Sequence, residues 1–337
     1  MKAIVCESPK NWRYVDRDTP KLEEGKAIVT IKRIGICGTD IHAFLGNQPF
    51  FEYPRVLGHE LSGVIHSIGE NPYGLQTGDQ VSVLPYLECG TCSTCKRGWA
   101  NCCPNISVLG VHTDGGMVEQ LAVPIDHIIK TNELTLDQSA ILEPLSIGAH
   151  AVRRSQLQKG ETVLVIGAGP IGLGVMQFAK QKGANVIAMD LNKERLAFAK
   201  QWAKVDETIH SSPNVDQKLQ ELTSGEMPSV VFDATGNSHS MMQAFQYPAH
   251  GGRLIYVGLV KSDITFSDPL FHSKELTLMA SRNATKEDFD WVLQALREGT
   301  IDADQFITHR ASFDQVTDTF EAWLNADSGV VKAIIDC

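Results

Sequence analysis

Three groups of residues in this 337-residue sequence are of types that do chemistry, and each is concentrated in a short span. Cys37-Gly38-Thr39-Asp40-Ile41-His42 and Gly58-His59-Glu60 offer a thiol, imidazoles and carboxylates, and Glu143 follows in Leu142-Glu143-Pro144. A lone cysteine is usually core and a lone histidine is usually a satisfied polar group. Their joint occurrence points to a metal, because Cys37, His59 and one carboxylate make a zinc site with the open fourth position that catalysis requires. The second group is Cys89, Cys92, Cys95 and Cys103. Thiolates three residues apart on a tight loop can aim at one point, so this spacing fits a zinc held by four sulfurs. Cys102 is a neighbouring spare that can replace Cys103; an iron–sulfur cluster is the rival occupant, and disulfides conflict with a reducing compartment. No acid or base stands among the four, which makes this zinc structural. The third group is Gly167-Ala168-Gly169-Pro170-Ile171-Gly172, whose glycines suit a tight turn, close approach to a pyrophosphate and close packing of helix on strand.

The elements needed to position these groups are legible around them. The glycine turn follows the apolar run Val-Leu-Val-Ile166, opens an amphipathic helix, and is succeeded by Val-Ile-Ala-Met-Asp190. Asp190 at that strand end accepts hydrogen bonds from ribose hydroxyls and repels a 2′-phosphate, which selects NAD over NADP. Arg195 is placed to stack on adenine or to meet a phosphate, and Val257 with Gly258, closing the strand pattern GGRLIYVGL, join the cofactor-binding set. From Met1 to about Leu142 the sequence alternates or runs β-branched between Gly and Pro, a mostly β pattern. From about His150 strands alternate with helices, which implies a parallel, doubly wound sheet in an α/β protein. The predicted division is residues 1–148 with 286–337 as one domain and 149–285 as the other.

Composition narrows the function classes. Thirty basic against 40 acidic side chains leave a net charge of −10, and no Lys/Arg cluster interrupts that field, so nucleic acid is excluded as a partner. The most apolar stretch, Val163 to Ala179, is short and glycine-rich, which argues against a membrane span. The opening MKAIVCESPKNWR lacks the apolar core of a signal peptide, and the expected location is cytoplasmic.

Taken in order and spacing, CGTDIH, GHE, the four-cysteine lobe, EPL and GAGPIG resemble the zinc-containing medium-chain alcohol dehydrogenase family over essentially the whole chain. The resemblance implies a mostly-β GroES-like catalytic domain and a Rossmann domain, with one catalytic zinc, one structural zinc and NAD. It implies Cys37 and His59 as catalytic zinc ligands and leaves Glu60 and Glu143 as alternatives for the third, direct or through water. The family's cysteine at the latter position is absent, which points away from simple alcohol dehydrogenases. GNQPFF, ISVLGVHTDGG and SRNAT are similar to bacterial sugar-acid dehydrogenases of the L-galactonate 5-dehydrogenase type and to starvation-sensing dehydrogenase-like proteins.

The activity then expected is oxidation of a polyol or sugar acid, with Thr39 taking the hydroxyl proton and passing it through the nicotinamide ribose to His42. Arg282, or alternatively Arg55, is the candidate partner of a substrate carboxylate; Phe44, Phe50 and Phe51 are candidates to shape the pocket, and Asn47 and Gln48 to bind hydroxyls. A homodimer or homotetramer is expected, joined at sheet edges for which GGRLIYVGL and ELTLMASR are the candidates. A regulatory nucleotide-binding protein without turnover is the second reading, and intact Cys37, Thr39, His42 and His59 argue against it. A zinc-free quinone reductase conflicts with two metal sites.

Overall fold

The β-branched run Lys26–Ile36 forms an 11-residue strand around which the first part of the chain is organised. The computed structural model describes residues 1–48, 51–325 and 328–337. Lys26–Ile36 pairs antiparallel with Glu60–Ile68 on one side and with Lys332–Asp336 on the other, and Gln120–Pro124 pairs along its first half. Gln80–Val83 and Ile128–Lys130 extend the sheet beyond Glu60–Ile68, and Ile307–Ser312 extends it beyond Lys332–Asp336. The register places Gly35 opposite Glu60 and Ile36 opposite Ala333. Cys37, Glu60 and Lys332 therefore arrive at one edge of three adjacent strands, although they lie far apart in sequence.

Helix Gly38–Phe44 follows directly, and its last residue is its anchor. Phe44 stacks on Trp12 at 5.2 Å between ring centroids and meets Phe320 edge-on at 5.2 Å. This cluster holds the helix against the core and corrects the expectation that Phe44 shapes a pocket, because its ring is fully buried. Phe51 packs edge-on against Tyr53. Phe50 lies outside the described residues.

Six parallel strands form the sheet of the second part: Thr162–Ile166, Asn185–Asp190, Glu207–His210, Val230–Asp233, Arg253–Tyr256 and Thr277–Ala280. Numbered along the chain, they lie in the order 3-2-1-4-5-6, the doubly wound arrangement whose crevice above strands 1 and 4 takes dinucleotides. Strand Arg253–Tyr256 is interior, which corrects its expected role as an edge. Thr277–Ala280 is an edge strand, and Leu278 on it is exposed.

The chain divides into one unit of Met1–Glu143 with Val292–Cys337 and another of Pro144–Trp291. These divisions fall inside helices Leu142–Arg154 and Lys286–Arg297, a few residues from the changes of pattern used in the sequence. A helix that continues across a division shows no break in its periodicity, so the pattern cannot locate the cut. Among the described residues, no helix is long and apolar enough to cross a membrane.

Within the second unit, Asp288 lies wholly buried in a polar knot. Its carboxylate pairs with His150 Nδ1 at 2.8 Å, accepts from Arg153 Nε at 2.6 Å, and accepts from the Thr285 N–H and hydroxyl, each at 2.8 Å. Burial alone raises an aspartate's pKa, but the hydrogen bonds from His150 and Arg153 outweigh it and hold Asp288 well below the usual carboxylate range. A carboxylate depressed in the folded state contributes its stability above the unfolded pKa of about 4 and loses it as the pH falls toward the folded value. Asp288→Ala is expected to destabilise the second unit by about 3–5 kcal/mol at pH 7, the scale for breaking a buried charged pair. In urea unfolding, the gap between variant and wild type should narrow below about pH 4.

Candidate functional site

Asp40, three residues after Cys37, joins the two motifs of the first unit. Its buried carboxylate accepts the Cys37 N–H at 2.9 Å through Oδ2 and the Gly58 N–H at 3.1 Å through Oδ1. Gly58 has φ +90°, a conformation that strains any residue with a Cβ, and the turn it makes presents His59 to Cys37. Donor atoms of Cys37, His59 and Glu60 lie within 4.8 Å of one another. Among the described residues the buried His59 Nδ1 has no hydrogen-bond partner, and it stands 3.8 Å from Asp40 Oδ1, too far for a bond. Burial opposes the charge on His59, but Asp40 and the Cys37 thiol outweigh it and hold the imidazole well above its usual pKa. A sulfur, a nitrogen and carboxylate oxygens enclosed in this way form a donor set that fits zinc.

Two further residues, Lys332 and Tyr86, were not anticipated from sequence. Lys332 Nζ, almost wholly buried, donates to both Glu60 oxygens at 2.6 and 2.8 Å and to the Ile36 carbonyl at 3.0 Å. Burial works against its charge, and Glu60 and Cys37 outweigh it to hold the ammonium above the usual lysine range. Gly35 makes room for this pair, since a Cβ there would stand 2.0 Å from Glu60 Oε2. Tyr86, also buried, donates its phenol to Glu143 Oε1. Burial pushes Glu143 up to about 7, against the pull of the neighbouring His59 charge and the Tyr86 hydrogen bond. A lysine opening a C-terminal apolar strand and a tyrosine among apolar residues carry no local signal of such roles.

Thr39 is half-buried and His42 exposed on helix Gly38–Phe44. Asn47 is exposed and Gln48 half-buried. Arg55 stands 3.8 Å from Asp114, and its buried Nε has no hydrogen-bond partner among the described residues. Arg282 follows strand Thr277–Ala280 in the second unit and is exposed.

The sulfurs of Cys89, Cys92, Cys95 and Cys103 converge as a second cluster, with Cys92–Cys95 at 3.4 Å, Cys89–Cys103 at 3.5 Å and Cys92–Cys103 at 3.9 Å. Four sulfurs placed about 2.3 Å from a tetrahedral zinc stand about 3.8 Å apart, so the cage fits that ion. The thiols are unequal. Hydrogen bonds from the Thr91 and Cys92 backbone lower Cys89 to about 5, whereas burial and its neighbours raise Cys95 to about 12. Like charges so close need a cation before all four can ionise. No cysteine forms a disulfide, and Cys102 is outside the cluster.

In the second unit, Gly167 adopts φ +96°, and a Cβ on Gly172 would lie 1.8 Å from the Gly167 carbonyl. A Cβ on Gly169 would meet nothing within 4 Å, so the face that it opens is free for a ligand. Gly169 caps helix Pro170–Gln181, in whose first turn Pro170 has no N–H and the N–H groups of Ile171 and Gly172 have no carbonyl a turn earlier to bond. Asp190 accepts the Ala168 N–H at 2.6 Å and the Asn192 N–H at 2.8 Å, which ties the glycine turn to the next strand. Arg195 is exposed on helix Lys193–Trp202. Val257 and Gly258 donate their N–H groups to the Asp233 carbonyl, at 2.9 and 3.0 Å, and the Asp233 side chain accepts from Thr235 and Ser240. Asp233 thus shapes the loop beside the turn, a role that its sequence position does not signal.

Residues 23–133 match the model of an alcohol dehydrogenase GroES-like domain and residues 170–298 that of a zinc-binding dehydrogenase. The chain is 44% identical over 335 residues to L-galactonate-5-dehydrogenase of Escherichia coli K12, covering 99% of this chain and 98% of that one. This chain belongs to the zinc-type medium-chain alcohol dehydrogenase family. Another member, starvation-sensing protein RspB of the same organism, is 36% identical over 341 residues, covering 99% of each chain. The crystal structure of an E. coli CFT073 rspB alcohol dehydrogenase complexed with NADH superimposes with a TM-score of 0.93 at 32% identity, covering 100% of this chain and 99% of that one. Family membership bears out the GroES-like and Rossmann architecture expected from the motifs.

The two clusters separate by experiment. Cys92→Ala is expected to remove one zinc per chain and lower the unfolding temperature, because a closed metal cage contributes directly to folding. Cys37→Ala is expected to remove the other zinc with a smaller thermal shift. Metal analysis and calorimetry of both variants check this, and equal destabilisation by the two changes would contradict it.

Proposed function

We propose that this protein is a zinc- and NAD-dependent dehydrogenase of a secondary alcohol in a polyol or sugar acid. The observation that carries the reading is the meeting of Cys37, His59 and Glu60 at the ends of adjacent interior strands, with a histidine nitrogen that has no hydrogen-bond partner among the described residues. Zinc held there supplies a Lewis acid that makes an alcohol hydroxyl more acidic, and NAD supplies the hydride acceptor. The remaining work falls to the chain's own residues. Thr39 and His42 stand three apart on one helix, so as Thr39 Oγ1 takes the substrate hydroxyl proton it gives up its own through the nicotinamide ribose to the exposed His42 imidazole, which exchanges it with water. The N–H groups of Gly169, Ile171 and Gly172 bind the pyrophosphate, Asp190 binds the adenosine ribose, and Arg195, Val257 and Gly258 line the same cofactor.

Similarity to L-galactonate-5-dehydrogenase supports a sugar acid as substrate, and Arg282 is the proposed partner of its carboxylate because a guanidinium donates two parallel N–H bonds to that group. The exposed edge strand Thr277–Ala280 is the surface proposed to pair with a second copy of the chain.

A zinc-loaded preparation is expected to form NADH with aldonates, L-galactonate among them, and more slowly with simple alcohols. Absence of reduction across aldonates, alditols and alcohols, by protein that binds both zinc and NAD, would favour the regulatory reading. Arg282→Met should weaken kcat/KM for the aldonate while sparing an alditol. Equal losses on the two would remove Arg282 from the substrate site.

Asp190→Ala should raise the KM for NAD about 10- to 100-fold, the worth of hydrogen bonds to a charged group. It should also relax discrimination against NADP, a ratio that distortion of the turn alone would not move. A wild-type preference for NADP would contradict the assignment.

A further inference from the structure

Sheet order fixes the direction in which the proposed cofactor runs. The glycine turn closes strand 1, Thr162–Ile166, and Asp190 closes strand 2, Asn185–Asp190. A dinucleotide with its pyrophosphate on the turn and a ribose on Asp190 therefore points its base toward strand 3, Glu207–His210. Strands 2 and 3 end together, since Asp190 stands opposite His210 in the parallel register. Leu191, directly after the carboxylate, is 77% exposed and offers that base an apolar surface.

Two contacts from the end of strand 3 hold this short turn. The Ser211 N–H donates to the Asp190 carbonyl at 2.9 Å, and His210 Nε2 lies 2.9 Å from the Leu191 carbonyl. A carbonyl only accepts, so Nε2 carries a proton and donates it. The Ser211 bond is open to any residue but proline, whereas the second depends on an imidazole. The Ala168 and Asn192 N–H groups fix the Asp190 carboxylate from one side, and the Asn192 side chain accepts the Glu194 and Arg195 N–H groups at 2.8 and 3.1 Å. His210 fixes the backbone between them. We propose that His210 is a positioning residue for the adenosine half of the cofactor, which by holding the Leu191 carbonyl keeps Asp190 at the ribose and denies a 2′-phosphate the room that a displaced turn would give. The inference rests on the reading of Asp190 as the ribose ligand of NAD. Its physical basis is general: exclusion of the wrong ligand is only as firm as the segment that bears the repelling group.

AMP and adenosine 2′,5′-bisphosphate differ only in the phosphate at issue, and both occupy the adenosine half of the site alone. Calorimetric titration should show wild-type protein preferring AMP. His210 is exposed, so its variants leave the core intact. His210→Ala should weaken AMP about 3- to 10-fold, the worth of one hydrogen bond, and weaken the bisphosphate less, so that the preference narrows. His210→Gln carries an amide N–H at the place of Nε2 and should restore the preference. His210→Asn, whose amide stands at the place of Nδ1, should not. A merely structural loss would lower both affinities alike and would not separate Gln from Asn. Three results would overturn the role of His210 while the NAD reading stood: a preference in His210→Ala within twofold of wild type, a Gln variant no better than Asn, or a bisphosphate weakened more than AMP, as for a histidine that binds the phosphate itself. Wild-type preference for the bisphosphate, or AMP that fails to compete with NAD, would remove the adenosine reading and this assignment with it.

Discussion

Charge must balance where water hardly reaches. Asp40, His59, Glu60, Glu143 and Lys332 are all buried in the first unit, with the half-buried Cys37 beside them. Ionised groups removed from water are costly unless each finds a partner, so such a cluster persists only if its members compensate one another or hold a cation. Lys332 compensates Glu60, the Tyr86 phenol stabilises Glu143, and backbone N–H groups satisfy Asp40. What remains is His59, with an orphaned nitrogen, and the Cys37 thiol. A thiol and an imidazole nitrogen so placed are a donor set that fits a divalent metal such as zinc.

That arrangement depends on strand register more than on any single bond. A shift of one residue between Lys26–Ile36 and Glu60–Ile68 would send Glu60 to the opposite face of the sheet. The glycines guard the register's consequences: Gly35 leaves the space that the Glu60 carboxylate occupies, and Gly58 makes the turn that brings His59 to Cys37. The aromatic cluster of Trp12, Phe44 and Phe320 does comparable work one helix away, because it holds the segment that carries Thr39, Asp40 and His42.

The second unit solves a simpler problem with the same means. An anion needs exposed N–H donors and no intruding side chain, and the turn from Gly167 to Gly172 supplies both. Two carboxylates keep it in shape: the half-buried Asp190 binds the turn from the next strand, and the buried Asp233 secures the loop alongside. Asp190 therefore has a structural task besides the one read from its place in the motif.

The sequence by itself determined the chemistry within reach and most of the architecture. Local spacing was enough for the cysteine loop, the glycine turn and the parallel sheet, because in each the interacting residues are neighbours or follow a short period. The joint presence of CGTDIH and GHE was enough to suggest a metal centre. Tertiary structure alone decided what surrounds it. Lys332 is 272 residues from Glu60, and Tyr86 is 57 residues from Glu143. No local pattern links partners at such distances: strand pairing across Lys26–Ile36 brings Lys332 to Glu60, and the packing of helix Leu142–Arg154 brings Glu143 to Tyr86. The same holds for Phe44, which reads as a pocket aromatic in its own segment and becomes core once Trp12 and Phe320 arrive from the two ends of the chain.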